Sequence, residues 1–157
     1  MTLRELMGNG APEVEISGLA YSSRSVTPGT LFFCVPGFTT DGHDFAPDAV
    51  ERGAAALVCQ RPLGLAVPEV VVADVRAAMG PVAARFYGHP TAELQVVGIT
   101  GTNGKTTTAF LVRHLLEAGG TQSGLLGTVK RVVGGVEEEV ERTTPEAVDL
   151  LHDVGGA

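Results

Sequence analysis

The stretch that most restricts this chain is Gly98-Ile99-Thr100-Gly101-Thr102-Asn103-Gly104-Lys105-Thr106-Thr107-Thr108. The apolar run at 95–100 leads into it with strand character. Residues 105–118 follow as a predicted helix, with Phe110, Leu111 and Leu115 on one face before Gly119-Gly120 ends it. Between the two, glycines let the backbone curl so that several N–H groups turn inward, and the helix N-terminus adds its partial positive charge. The product is a phosphate cradle. Lys105 is placed to reach the β/γ-phosphates of a nucleotide and the Thr106 hydroxyl to ligate Mg²⁺. The spacing is a variant of G-x-x-x-x-G-K-[ST], because Ile99 stands where the first glycine belongs and Gly98 comes one residue early. An ordinary strand-to-helix turn is the alternative reading. It sets a lysine against the positive end of the helix dipole, a position that a bound polyphosphate explains better. Gly101, Thr102, Asn103, Gly104, Lys105, Thr106 and Thr107 are therefore the candidate nucleotide site. Kinases, hydrolases and ligases all use such a loop, so the loop does not name the reaction.

The rest of the composition bounds the partners. With 157 residues, 44% of them hydrophobic, the chain has material for one domain, or for a small domain and part of another. Eleven Lys and Arg against 18 Asp and Glu leave a net charge of −7, which argues against a nucleic-acid surface. Any anion must be gripped locally. Cys34 and Cys59 lie inside apolar runs and are expected to be reduced core residues. The N-terminus has no secretory pattern and no run reaches the length of a membrane span, so a cytoplasmic protein without membrane contact is expected.

Along the chain, 31–35 reads as a buried strand between Pro28-Gly29 and Pro36-Gly37. Residues 46–52 read as a helix stopped by Gly53, 55–59 as a strand, and 70–72 as a third apolar run. Residues 75–87 carry Val75, Met79, Val82 and Phe86 near helical spacing and end at Gly88-His89-Pro90. After a linker at 91–94 come the strand, loop and helix above, a further strand at 123–129, a hairpin over 132–141 around Gly134-Gly135, and a short helix at 145–154. This alternation predicts an α/β fold: a small α/β domain, then the opening βαβ of a P-loop-type domain that looks cut short.

Gly101-Thr102-Asn103-Gly104-Lys105-Thr106-Thr107-Thr108, after Val96-Val97-Gly98-Ile99-Thr100, resembles the ATP loop of the Mur ligases. These are ATP-dependent amide-bond-forming enzymes of peptidoglycan precursor synthesis. Independently, 22–37 (SSRSVTPGTLFFCVPG) followed by 41–58 (DGHDFAPDAVERGAAALV) is similar to the N-terminal domain shared by the ligases that add the third and fourth residues. Asn103 after Gly-Thr, with Arg142-Thr143-Thr144-Pro145-Glu146, resembles the MurE type more than the MurF type.

The resemblance implies a UDP-binding domain over 1–92 and the start of the central ATP-binding domain over 93–157. It implies ATP and Mg²⁺ as cofactors, and as substrates UDP-MurNAc-L-Ala-D-Glu and an amino acid, diaminopimelate or lysine, joined through an acyl phosphate. A monomer is expected. Ser23 and Phe38-Thr39-Thr40 are implied to contact the UDP end, although Ser22 stands where the family has Asp. Thr143 and Thr144 are implied to contact the muramyl peptide; the same residues also suit a capping box or an N-cap followed by Pro145. Lys105 carries the catalytic expectation. The later carboxylate, lysine and C-terminal domain of the family have no counterpart here, so the chain is expected to be an N-terminal fragment, inactive alone. A MurF-type fragment and a non-catalytic nucleotide-sugar-binding module are the alternatives, with an autonomous P-loop NTPase behind them. Asp41-Gly42-His43-Asp44 is expected to be a turn capping the next helix rather than a base or metal site, and Arg24 a structural ion-pair partner.

Overall fold

The computed structural model describes residues 1–37, 39–127, 130–133, 135–139 and 146–155, so Phe38, Thr143 and Thr144 lie outside the described residues. The chain divides into two compact units, Met1–His89 and Pro90–Ala157.

The first unit runs α1 (Leu3–Met7), β1 (Gly18–Ala20), β2 (Thr30–Phe33), α2 (Ala46–Glu51), β3 (Ala54–Cys59), β4 (Glu69–Val71) and α3 (Val75–Phe86). Its four strands pair in the order β1-β2-β3-β4, all parallel, with Phe33 opposite Val58 and Val58 opposite Val70. A parallel sheet must be covered on both faces, and β2 is buried at every residue. Phe32, Cys34, Leu57 and Cys59 pack with Ala46 and Ala49 of α2. By the two-residue period, Leu31, Phe33, Ala56 and Val58 turn to the other face and are buried, as are Leu3 and Leu6 of α1 and Val75, Met79, Val82 and Ala83 of α3, two helices that pack against each other. Both cysteines are free and buried, and burial pushes the Cys34 thiol up to about 12.

Two elements here escape hydropathy periodicity. The five residues of α1 are started by a capping box, in which Thr2 accepts from the Glu5 N–H (3.2 Å) and Glu5 accepts from the Thr2 N–H (2.6 Å). The three residues of β1 have no apolar run of their own and exist by pairing with β2. The expected stops hold: Gly53, at φ +100°, follows α2, and Gly88 (φ +75°) with His89 (φ +56°) closes α3.

The second unit holds α4 (Lys105–Ala118), β5 (Leu125–Leu126), β6 (Lys130–Val133), β7 (Val136–Glu139) and α5 (Ala147–Gly155). The hairpin forms as expected, β6 pairing antiparallel with β7 across a two-residue connection that contains Gly135 at φ +80°. Leu125, Val132, Val148 and Leu151 are its buried apolar residues.

The α/β class is observed, but the second unit departs from expectation in three places. Residues 95–100 form no strand, and Val96 and Val97 are 79% and 69% exposed. The helix α4 has the expected bounds yet buries none of its residues, with Leu111 and Leu115 in solvent. Of the run at 123–129, the described residues give strand at Leu125–Leu126, paired antiparallel with β6 where a parallel partner is expected. One cause covers all three. A strand is defined by its ladder and a helix face by what covers it, and among the described residues no strand lies parallel to 95–100 to receive either.

Candidate functional site

In the second unit the glycine-rich loop reaches α4 without a side-chain cap. Gly104 takes the N-cap position in the left-handed region (φ +76°, ψ −3°), and Lys105 is the first helical residue. A Cβ at Gly104 would meet nothing within 4 Å, so glycine is required by backbone angle and not by crowding. Among the described residues the first backbone N–H at this helix start with a partner is that of Thr108, which donates to the Gly104 carbonyl at 2.9 Å. The N–H groups of Lys105, Thr106 and Thr107 are thus exposed donors, the arrangement that receives phosphate. Lys105 Nζ donates back to the Gly101 carbonyl, holding its charge over the loop. Thr102 and Asn103 are exposed on the bend. The residues present fit a magnesium nucleotide: donors for the phosphates, one cation beside them, and the Thr106 hydroxyl as one metal ligand. Among the described residues no group of three His, Cys, Asp or Glu could by itself hold a metal ion.

In the first unit, parallel strands bring four segments to one sheet edge, the carboxyl edge, where ligands of open α/β sheets bind. After β1 comes a 3₁₀ turn at Ser23–Ser25. Ser23 is buried, and its hydroxyl donates to the Asp48 carboxylate of α2, which helps hold that acid below the ordinary carboxylate range. Arg24 is exposed and makes no ion pair among the described residues, contrary to its expected structural role. After β2 the chain makes a tight loop over 36–41. Pro36 and Asp41 face each other as an isolated antiparallel bridge, and the Gly37 N–H donates to the Thr40 carbonyl (2.9 Å). Thr39 and Thr40 are exposed at the tip.

The loop is closed by Asp41, Gly42 and His43. As expected, Asp41 caps the 3₁₀ turn Gly42–Phe45, accepting the His43 N–H at 3.0 Å. Gly42 has no room for a side chain, since a Cβ would lie 2.5 Å from the Val35 nitrogen and oxygen. His43 does more than the sequence shows. Its ring is 3% exposed; Nδ1 lies 2.6 Å from Asp41 Oδ1, and Nε2 accepts the Gln60 N–H at 2.9 Å. Arg61 Nη1 donates to Asp41 Oδ2 at 3.0 Å, and Arg76 Nη2 reaches the Pro36 carbonyl at 3.5 Å. The His43 backbone N–H foremost, then the His43 ring and Arg61, bring the Asp41 carboxyl down to about 2. Gln60 and Arg61 follow β3 directly, and only the parallel register marks them as neighbours of His43.

Two family models match this chain: Mur ligase family, catalytic domain, over residues 15–87, and Mur ligase middle domain over residues 99–155. The chain is 52% identical over 136 residues to the UDP-N-acetylmuramoyl-L-alanyl-D-glutamate–2,6-diaminopimelate ligase of Geobacillus thermodenitrificans, covering 87% of this chain and 28% of that protein. A solved structure of a ligase of the same name aligns with TM-score 0.76 over 99% of this chain and 33% of its own, at 23% identity, a likeness of fold. The MurF ligase of Thermotoga maritima in complex with ADP aligns with TM-score 0.53 at 29% identity over 64% of this chain and 23% of its own. The chain therefore spans about a third or less of the proteins it matches. Between them the two models cover both structural units, the parallel-sheet unit and the unit with the glycine-rich loop, and the chain belongs to the Mur ligase family.

Proposed function

We propose that this chain is the front part of an ATP-dependent ligase of the MurE type, which joins diaminopimelate to UDP-MurNAc-L-Ala-D-Glu in the cytoplasm. In this reading 1–92 is the UDP-binding domain and 93–157 the start of the central ATP-binding domain, the fragment being inactive alone and monomeric. Curated relatives named as diaminopimelate ligases, 43–52% identical over 87–96% of this chain, support the MurE over the MurF type. The same relatives' names support diaminopimelate as the amine in this reading.

Bound ATP would supply the γ-phosphoryl group that activates the D-Glu carboxylate as an acyl phosphate, from which the incoming amine displaces inorganic phosphate. What this chain contributes is positioning and charge. The N–H groups of 105–107 and the Lys105 ammonium take up phosphate charge, and the Thr106 hydroxyl is one Mg²⁺ ligand. In the first unit Ser23, Phe38, Thr39 and Thr40 hold the UDP end, and Thr143 and Thr144 the muramyl peptide. The observation that carries the proposal is Gly104 at φ +76° delivering Lys105 to the first turn of α4 among unpartnered N–H groups.

Lys105→Ala is the test, made in a protein that continues through a completed middle domain. Calorimetric titration should show magnesium-ATP binding lost, with the circular dichroism and melting temperature kept, because Lys105 supports no core. Unchanged ATP affinity would overturn the phosphate cradle. In the intact ligase, ADP release should require diaminopimelate, and equal release with lysine would overturn the amine assignment.

A further inference from the structure

We infer that His43 is a positioning residue for Gly37, Thr39 and Thr40, holding them ready for the nucleotide-sugar substrate through Asp41 on one side and the exit of β3 on the other. The inference rests on the proposed substrate role of Thr39 and Thr40. Any buried imidazole needs partners for its nitrogens, and what matters here is where those partners lie, one at the foot of the turn and one at the exit of β3. Here both ring nitrogens are committed. Nε2 accepts a backbone N–H, so the ring proton sits on Nδ1 and points at Asp41 Oδ1. The carboxylate of Asp41 then has its second oxygen on Arg61. Asp41 is also the residue whose backbone closes the loop against Pro36.

The chain Gln60, His43, Asp41, Arg61 thus runs from the end of β3 to one foot of the loop and back to β3. The other foot, Pro36, is held by Arg76 at the start of α3. Gly42 ties the same foot as Asp41 to the exit of β2, its N–H donating to the Val35 carbonyl at 3.0 Å with no room for a side chain between them. Between these feet Thr39 and Thr40 stand in solvent. Thr39 and Thr40 are exposed while the His43 ring that braces Asp41 is buried, and a braced foot preorganises the residues it carries, so that little of the binding free energy is spent on ordering them.

The test uses this chain, ¹⁵N-labelled, titrated with UDP-MurNAc-L-Ala-D-Glu well below its melting temperature. Wild type should show shifts at the amides of Gly37, Thr39 and Thr40. His43→Phe, which keeps the ring's shape and loses both hydrogen bonds, should bind at least tenfold more weakly and move those three amides before ligand is added. Asp41→Asn, a change at a partly exposed side chain, should weaken binding in the same direction and decides the matter if His43→Phe does not fold. Met79→Ala, in the core under α3, should lower the melting temperature and leave the affinity of the folded protein alone. Wild-type binding at these amides, with both His43→Phe and Asp41→Asn within twofold of it, would overturn the positioning role and leave the substrate loop standing. Saturation of wild type without movement of Gly37, Thr39 or Thr40 would overturn both.

Discussion

Helices α3 and α4 are of similar length and both follow a loop at the end of an apolar run, yet α3 buries Val75, Met79, Val82 and Ala83 while α4 buries nothing. Their apolar residues recur with comparable spacing. What differs is the sheet. The first unit has four parallel strands in ladder, with α2 packed on one face and with the buried residues of α1 and α3 in the same core. In the second, the run that should start a sheet, 95–100, stands unpaired, and the three strands present form a separate antiparallel hairpin and edge. Periodicity states which face a segment can bury, and only a neighbour makes it do so.

The largest expected effect sharpens this contrast. Leu57→Ala, in the middle of β3 with no exposed surface, should cost about 3 kcal/mol by urea unfolding followed through the first unit. Leu115→Ala, 70% exposed on α4, should cost within about 0.5 kcal/mol. Equal losses would mean that α4 is covered in solution and would break the comparison. Amide hydrogen exchange gives the same contrast residue by residue, with slow exchange over β2 and β3 and fast exchange over 95–104.

A second comparison concerns two glycines that open onto the two candidate sites. Gly42→Ala forces a methyl group against the Val35 backbone and should destabilise the first unit by about 2 kcal/mol. Gly104→Ala meets open space and suffers only its left-handed angle, about 1 kcal/mol, borne by the start of α4. Thermal melting of the two variants separates them. A larger loss at Gly104 would show that its loop is packed against something the exposure does not reveal.

These contrasts also show which parts were legible in the sequence. The strand around Leu31 and Phe33, between two Pro-Gly pairs, and the stop at Gly53 could be read because local chemistry determines them. So could the Gly104-Lys105 junction, since a glycine-rich turn into a helix is a local geometry. Residues 95–100 could not, because a ladder depends on strands distant in sequence. His43 could be read as a turn residue from Asp41-Gly42-His43 alone, and its buried bond to Gln60, seventeen residues on, follows only from the parallel register of β2 and β3. Thr2 and Glu5 carried the capping-box signal for α1, outside the reach of hydropathy.

The smallest expected effect is a dependence on pH in the better-packed unit. Asp41 has its folded-state carboxyl lowered from 3.8 to about 2, chiefly by the His43 backbone N–H, then by the His43 ring and Arg61. A depressed carboxylate contributes stability that is fully present above the unfolded-state value and is lost as pH falls through the folded one, since in between the unfolded chain binds a proton that the folded chain does not. The window is therefore from about pH 4 down to about pH 2. Glu69 adds to the slope just above it, its carboxylate accepting the N–H groups of Leu63 (2.7 Å) and Leu65 (2.8 Å) and being lowered by them. Asp41 is partly open to solvent, so its share is modest. Urea midpoints of the first unit at pH 4, 3 and 2 should fall for wild type and fall less steeply for Asp41→Asn, which has no charge to lose. Parallel slopes for the two proteins would show that the Asp41 bonds to His43 and Arg61 do not hold the carboxylate in its charged form.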